Sequence, residues 1–226
     1  MNRKLAVGAA LREVWALYRT HARRLLPVSF VLFLTVAVVD GLIGTEFPLL
    51  LIGFAISTVT TPFYEGFVVT LVQDLQDDRP DRSIGELLRA TILVLLPLVG
   101  AGLLFLLGIF VGVVLFVVPA LVAITVWALI SPVIVVERPG VTKAFSRSHE
   151  LVRGNGWRVF GVVLASFLAV FFIAGIGFKP IAEAISSEPL VQVALDAVTS
   201  TLVAPIAALV AAVLYFRLRQ IDPSAP

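Results

Sequence analysis

The sequence predicts an all-α integral membrane protein with six transmembrane helices in a single membrane domain, residues 1–226, and three observations support this. Hydrophobic residues make up 59% of the chain and charged residues only 14%, far from the composition of soluble globular domains. Long apolar runs alternate with short charged segments, as bilayer-spanning helices require. The Lys and Arg residues cluster in alternate connecting segments, which indicates an even number of spans.

The first two spans follow a charged N-terminal segment. Residues 5–24 have an apolar and a basic side when wound as a helix. The apolar run that begins at Leu25 is too late in the chain for a cleavable signal peptide. We expect the first two spans at about 25–44 and 48–73.

The next uncharged stretch is long enough for two spans. No residue from Ala90 to Val136 carries a charge. As a helix this stretch would measure about 70 Å, twice the roughly 30 Å of a bilayer core. The stretch must therefore form two spans joined by a tight turn. The glycines at Gly108–Gly112 indicate that the turn lies near these residues. The remaining spans are expected at about 87–108, 113–136, 157–178 and 190–216.

Two further short segments have the pattern of amphipathic helices. Residues 141–153 follow Pro139-Gly140 and precede Gly154, which favour the beginning and the end of a helix. A short basic helix of this kind beside a span is expected to lie in the membrane interface with its apolar side down. A shorter candidate runs from Ile84 to Thr91. The apolar face of the 141–153 helix comprises Val141, Ala144, Phe145, Ser148, Leu151 and Val152.

The charged segment 131–158 carries a loose motif made of Pro132, Glu137, Gly140, Ala144, Arg147-Ser148, Leu151, Gly154 and Trp157. This order resembles the membrane domain found N-terminal to some bacterial glycerophosphoryl diester phosphodiesterases. It also resembles related stand-alone inner-membrane proteins of unknown function. In that family a separate barrel domain performs the hydrolysis. The predicted spans occupy most of the sequence and leave no room for such a barrel. The resemblance therefore implies a bacterial inner-membrane domain without phosphodiesterase activity.

The distribution of positive charge predicts the orientation. Sixteen of the 17 Lys and Arg residues lie in the N-terminal segment, the second and fourth connecting segments or the C-terminal tail, and only Lys179 lies opposite. Because Lys and Arg accumulate on the cytoplasmic side, both termini are expected in the cytoplasm. Five or seven spans would place a basic cluster outside. The protein is thus predicted to be a multi-pass protein of the cell membrane.

An internal repeat is predicted, in which each unit combines an interfacial helix with a hairpin of two spans. A shift of 70 residues aligns Thr61-Pro62 with Ser131-Pro132, and a further shift of 64 aligns Arg89 with Arg153. Chance similarity between apolar segments is the alternative. Successive units would keep one orientation, as in transporters with parallel repeats. The three units span 5–74, 83–137 and 141–216.

Several polar or helix-breaking residues fall within the predicted spans. Pro62, Pro132 and Pro205 each remove a backbone donor from the second span of a unit and free a carbonyl. These kinks either line a cavity or only bend packed helices. Asp40 and Asp196 lie near the outer ends of their spans, where they would face an outer vestibule or the solvated interface.

Glu65 is the main candidate for a functional residue inside the membrane. About 13 Å of helix separates it from the charged segment that begins at Asp74. An ionisable group at that depth is costly and therefore points to function. The alternatives are a structural carboxyl, protonated or paired with Arg19, Arg89 or Arg153, and an interfacial position.

The basic segment after the fourth span is expected to bind anionic lipid head groups. Candidate contacts are Lys143, Arg147, Arg153 and Arg158, with Trp157 as an interface anchor. This is an association with the membrane surface, and no nucleic-acid partner is expected.

Catalysis, cofactors and metals are not expected. The chain has no cysteine and two histidines. Ser146, Ser148, His149 and Glu150 are adjacent in sequence without a nucleophile elbow or an oxyanion motif. We therefore predict a non-catalytic scaffold, lipid-interacting or regulatory module, with a possible unidentified protein partner. The alternative is a small transporter or channel that uses Glu65 and the proline-kinked helices.

Overall fold

The computed structural model describes residues 5–43, 47–77, 82–115, 117–178 and 188–221. Within these ranges the chain is helical, and six helical stretches are long and apolar enough to cross a membrane. The predicted fold class is thereby confirmed. Lys179, the one basic residue expected on the outer side, lies outside the described residues.

The helices follow the predicted order with two unexpected interruptions. The fourth span is divided between α5 and α6, and the fifth ends in a π-helical segment. Among the packed pairs, α1 contacts α9 most extensively, and α2 contacts α1, α4, α6 and α9. The bounds are α1 Val7–Ile43, α2 Phe47–Asp74, α3 Ile84–Ile92, α4 Leu95–Leu115, α5 Val117–Val126, α6 Ile130–Glu137, α7 Val141–Val152, α8 Gly156–Val170, the π-helical segment Phe171–Phe178 and α9 Pro189–Ile221.

The buried core lies toward one end of the helix bundle. The C-terminal halves of α2 and α9 supply its largest side chains, among them Tyr64, Phe67 and Tyr215, and α6 contributes Ile134. The apolar side chains of α4, such as Phe110, are instead largely exposed on the outside of the bundle. Exposed apolar surface of this extent suits helices that face lipid and would be a liability in water.

The predicted amphipathic helix in the basic segment is confirmed as α7. Gly140 and Gly154 flank it with φ of +84° and +85°, a backbone region that favours glycine. Ala144, Ser148 and Leu151 are buried, as the pattern predicts. The apolar face, however, packs against the protein, chiefly on α6, and not down into lipid. The reason is that α6 and the neighbouring helices α4, α5 and α9 expose apolar side chains at this end of the bundle, and the apolar face of α7 covers them.

The helix α3 begins with a capping box. The Ser83 backbone N–H donates to Glu86 Oε2 over 2.7 Å, and the Glu86 N–H donates to Ser83 Oγ over 3.3 Å. The bond from the Ser83 backbone N–H, and a second bond of 2.8 Å from the Ser83 hydroxyl to the same oxygen, lower the pKa of the Glu86 carboxyl below its ordinary value. The capping box therefore stabilises α3 fully when the pH is above the ordinary pKa of a glutamate carboxyl. Its contribution to stability is lost as the pH falls through the lowered pKa of Glu86. The predicted apolar face is confirmed, since Leu87 and Thr91 are buried.

The first predicted repeat unit lacks a separate interfacial helix. α1 runs without a break from Val7 to Ile43, so the expected division into a helix over 5–24 and a later span is wrong. Pro27 is the only proline or glycine between residues 9 and 40, and here it is accommodated inside the helix. In the third predicted repeat unit, by contrast, Gly154 follows α7 and separates it from α8.

The turn expected near Gly108–Gly112 falls a few residues later, because α4 continues to Leu115 and α5 begins at Val117. The glycines serve close packing instead. A Cβ atom on Gly112 would lie 3.0 Å from the Ala120 backbone N and Cα. A Cβ on Gly108 would lie 2.5 Å from the Trp127 ring.

Gly112→Ala should destabilise the protein by about 1–3 kcal/mol, since the new methyl group meets backbone that cannot rotate away. The matched control is Gly100→Ala in the same helix, where the nearest atom, Val141 Cγ2, is at an ordinary 3.6 Å. That change should be neutral or slightly stabilising. Unfolding in mixed micelles with increasing denaturing detergent measures both. Equal stabilities would contradict the close packing of α4 on α5.

Candidate functional site

A cavity of about 560 Å³ lies between α2, α4, α8 and α9, with the α5–α6 junction along one side. Its volume is within the range of about 300–1,000 Å³ that is usual for small-molecule sites. Most of its lining is apolar, and aromatic rings of Phe54, Phe105, Trp127 and Phe167 contribute to the walls. Phe54 and Phe167 are also more than half exposed, so the cavity reaches the lipid-facing surface of the bundle.

Glu65 projects into this cavity from α2 and is held by Ser131 of α6. The Ser131 hydroxyl donates to Glu65 Oε2 over 2.5 Å. Among the described residues, no Lys, Arg or His side chain forms an ion pair with this carboxylate. Of the alternatives for Glu65, pairing with Arg19, Arg89 or Arg153 is therefore not observed, and a serine on a neighbouring span supplies the partner.

Three more hydroxyl groups follow the same face of α2 above Glu65. Ser57, Thr58 and Thr61 all line the cavity. Within the described part of the chain, none of these hydroxyls forms a hydrogen bond. Ser166, which lines the opposite wall, donates to the carbonyl four residues earlier in its own helix. The α2 hydroxyls therefore remain available to a molecule in the cavity.

The backbone carbonyl that Pro205 leaves without a helical donor is satisfied within the protein. Pro205 cannot donate to the Thr201 carbonyl one turn earlier. The Ser29 hydroxyl donates to that carbonyl over 3.0 Å, and the Tyr18 hydroxyl donates to the adjacent Leu202 carbonyl over 3.0 Å. α1 therefore covers the backbone that this proline frees.

The break near Pro132 is also satisfied within the protein. α5 ends at Val126 and α6 begins at Ile130, just before the proline. The Ser148 hydroxyl donates to the Val126 carbonyl over 2.7 Å and accepts from the Leu129 N–H at 3.3 Å. One buried side chain from α7 thus bridges both sides of the break.

Pro62 differs from the other two prolines because it lines the cavity. It cannot donate to the Thr58 carbonyl. No side chain of the described residues donates to that carbonyl. Pro132 and Pro205 are buried but do not contribute to the cavity lining. Of the two alternatives for these prolines, a place in a cavity wall therefore applies to Pro62, and packing between helices applies to Pro132 and Pro205.

The basic segment is tied to the bundle through Glu137. Arg147 Nε donates to Glu137 Oε2 over 3.1 Å, and the Tyr215 hydroxyl donates to Glu137 Oε1 over 2.9 Å. Arg147 also lies 3.4 Å from the Glu150 carboxylate, and its side chain is only 17% exposed. This cluster joins α6, α7 and α9.

The other predicted head-group contacts remain on the surface. Lys143, Arg153 and Trp157 are exposed, and Arg158 is half-buried. Arg147, in contrast, is engaged by the two carboxylates just described. The four remaining residues form the surface that an anionic head group could reach.

The N-terminal segment and the C-terminal helix meet at the same end as the basic segment. Arg217 forms an ion pair of 2.5 Å with Glu13 and donates to the Ala9 carbonyl. The Leu5 N–H donates to Asn155 Oδ1 over 3.2 Å. Three of the four predicted basic clusters are thus brought together at one end of the bundle.

The two outer aspartates are not part of the cavity. Asp40 and Asp196 are exposed, and neither lines it. Asp40 packs instead beside Gly53, where an added Cβ atom would lie 2.5 Å from its Oδ1. In the described ranges, no group of three or more His, Asp or Glu side chains is arranged to hold a metal ion.

Sequence reasoning missed Ser131 as a partner of Glu65 and missed the hydroxyl face of α2. Ser57, Thr61 and Glu65 are spaced by four residues, a spacing that places side chains on one helical face. That spacing could have identified the face. The contact with Ser131 carries no such signal, because it depends on how α2 and α6 pack.

Residues 82–218, more than half of the chain, match a family described as "Domain of unknown function (DUF7847)". The match extends from before α3 to near the end of α9, so Ser131, Glu137 and Ser148 lie within it and Glu65 precedes it. No curated protein and no solved structure matches the chain.

Proposed function

The chain belongs to the DUF7847 family, and we propose that it is a non-catalytic membrane module that binds an apolar molecule from the bilayer. The observation that carries this proposal is the cavity of about 560 Å³, which is apolar along its walls and polar around Glu65. Small-molecule sites typically combine an apolar lining with a few convergent polar groups. Five spans contribute to the lining, so an occupied cavity would stabilise their packing. This gives the module a lipid-interacting or regulatory role.

The polar groups in the cavity favour binding over catalysis. They are one carboxylate and several hydroxyls. A nucleophile of this type needs a base and an orienting group within hydrogen-bond reach. Glu65 and Ser131 form such a pair, yet no third group among the lining residues is bonded to them in the described structure.

Blocking the cavity should remove bound molecules. Ala207 lines it, and Ala207→Phe would place a ring inside the space. Ala169→Phe is the matched control, because Ala169 is exposed on α8 outside the lining. We expect native mass spectrometry of gently solubilised protein to find an apolar molecule retained by the parent protein and by Ala169→Phe. Ala207→Phe should lose it. Equal retention by both variants, or none by the parent protein, would contradict the proposal.

The orientation belongs to the same proposal. The end that carries the N-terminal, 137–158 and C-terminal basic segments is proposed to face the cytoplasm of a bacterial cell. A topology reporter fused after Lys179 should therefore be active only outside the cytoplasm. A reporter that reads cytoplasmic there would contradict six spans with cytoplasmic termini.

Anionic lipid head groups are proposed to bind the exposed basic surface at this end. Each well-placed Lys or Arg contributes about 1 kcal/mol. The variant carrying Lys143→Gln and Arg153→Gln loses about 2 kcal/mol, so it should bind added anionic lipid roughly thirtyfold more weakly in native mass spectrometry. Unchanged lipid binding would contradict this proposal and would mean that Lys143 and Arg153 only set the orientation of the spans in the membrane.

A transporter is the second candidate, and the hydroxyl face of α2 is the observation that favours it. Ser57, Thr61 and Glu65 form a polar track of about 12 Å along one helix face. Such a track could pass a proton or a small cation. The discriminating test is flux into proteoliposomes. Loss of a proton- or ion-coupled flux in folded Glu65→Gln would support transport, and absence of flux in the parent protein would remove this candidate.

A further inference from the structure

The polar end of the cavity offers hydrogen-bond acceptors and one ionisable group. Glu65 supplies a carboxylate, and Pro62 leaves the Thr58 carbonyl without its helical donor. The Thr61 and Ser131 hydroxyls lie beside them in the lining. No Lys, Arg or His is among the residues that line the cavity in the described structure. A ligand that matches this end must therefore supply donors, and a positive charge on the ligand would stabilise the ionised form of Glu65.

The carboxylate gains most from a cationic partner at this depth. A charged group within the membrane is costly unless it is paired. The one bond from Ser131 leaves most of the acceptor capacity of Glu65 unused, because an ionised carboxylate can accept about four hydrogen bonds. A protonated amine would form a charge-assisted bond there, which is stronger than a bond between neutral groups.

The walls of the cavity suit the apolar body of the same ligand. Phe54 and Glu65 both line it and are separated by about 16 Å along α2. A molecule with its amine at Glu65 could therefore extend its apolar part past Phe105 and Trp127 toward Phe54. Aromatic faces also attract cations, which favours the charged ligand during entry.

We propose that the cavity selects an apolar molecule that carries a protonated amine, with the amine bound at Glu65 and the apolar body along the aromatic wall. This inference rests on the proposed ligand-binding function and names its ligand class. The amine could belong to a free lipophilic amine or to the head group of a lipid. About 13 Å of helix separates Glu65 from the charged segment at Asp74, so a lipid head group would have to leave the interface to reach it.

The tryptophans of this chain provide a direct reporter. The chain has three: Trp127 lines the cavity, and Trp15 and Trp157 are exposed elsewhere. A protein with Trp15→Phe and Trp157→Phe therefore fluoresces from the cavity wall alone. Brominated alkyl chains quench indole on contact. The probes are bromododecylamine, bromododecanol and bromododecanoate at neutral pH, added to nanodiscs made with and without phosphatidylethanolamine.

We expect bromododecylamine to quench Trp127 saturably at a concentration at least about tenfold lower than bromododecanol, with bromododecanoate the weakest. Glu65→Gln should remove the preference for the amine and leave quenching by the alcohol intact. Asp196→Asn, which removes a carboxylate outside the cavity, should keep the preference. If phosphatidylethanolamine in the nanodisc weakens quenching by bromododecylamine, the natural ligand is a lipid with an amine head group. If quenching is the same with and without this lipid, the natural ligand is a free lipophilic amine.

Two results would overturn the selection for amines. One is equal quenching by amine and alcohol when Glu65 is present. The other is an amine preference that survives Glu65→Gln, since it would come from surface charge. Failure of all three probes to quench saturably is a different outcome, because it would contradict ligand binding by the cavity itself.

Discussion

Ser148→Ala should destabilise the protein by about 2–4 kcal/mol. The hydroxyl is fully buried and bridges the Val126 carbonyl and the Leu129 N–H at the break between α5 and α6. Its removal leaves two backbone groups without partners, each at a cost of about 1–3 kcal/mol. Because Trp127 lies within this break, the same change should alter Trp127 fluorescence. Unfolding in mixed micelles, followed by circular dichroism, measures the stability.

Ser146→Ala is the matched control for this prediction. Ser146 lies two residues earlier in α7 and is exposed. Its replacement should change stability by less than about 0.5 kcal/mol, since surface substitutions away from special features have small effects. Similar losses for Ser146→Ala and Ser148→Ala would show that the α5–α6 break does not depend on the Ser148 bridge.

Glu137→Leu should destabilise the protein by about 3 kcal/mol. The substitution removes the acceptor for both Arg147 and Tyr215 and leaves a largely buried guanidinium and a buried phenol without this partner. Breaking a buried ion pair from one side costs about 3–5 kcal/mol. We take the lower end, because the side chains of Glu137 and Arg147 remain 23% and 17% exposed. The same unfolding measurement applies.

Glu150→Gln is the control for this prediction, because it removes a negative charge near Arg147 and leaves Glu137 in place. The Glu150 side chain is 62% exposed and lies at the other end of the Arg147 cluster. Exposed pairs contribute about 0–1 kcal/mol, so this variant should be close to the parent protein. Equal destabilisation by both variants would mean that the cluster acts only through its net charge.

The spans and the amphipathic helices α3 and α7 were predictable because their signals are local. A run of apolar residues or a repeated spacing of three and four determines where a helix crosses the bilayer or covers the core, as α7 shows. The turn after α4 was misplaced because Gly112 has two possible uses, a turn or a close approach. Only the packing against Ala120 shows which use applies.

The site was predictable in its position and not in its contacts. The depth of Glu65 and the presence of Pro62 in the same helix pointed to this part of α2. The partner, Ser131, lies 66 residues away, and nothing in its local sequence marks the contact. The same holds for Ser29, Tyr18 and Tyr215, whose hydroxyls reach backbone or carboxylate groups on distant helices. The motif residues Glu137, Arg147 and Ser148 are explained by the structure as links that hold the basic segment to the bundle.

Photo-cross-linking in the membrane tests most directly whether the cavity binds an apolar molecule. Membranes that contain the protein are equilibrated with a long-chain alkyl diazirine, irradiated and digested, and the adducts are mapped by mass spectrometry. We predict saturable adducts on cavity-lining residues of α2, α8 and α9, which Ala207→Phe removes and Ala169→Phe retains. Adducts confined to lipid-facing residues of α4, such as Phe110, and unchanged by Ala207→Phe would contradict the account.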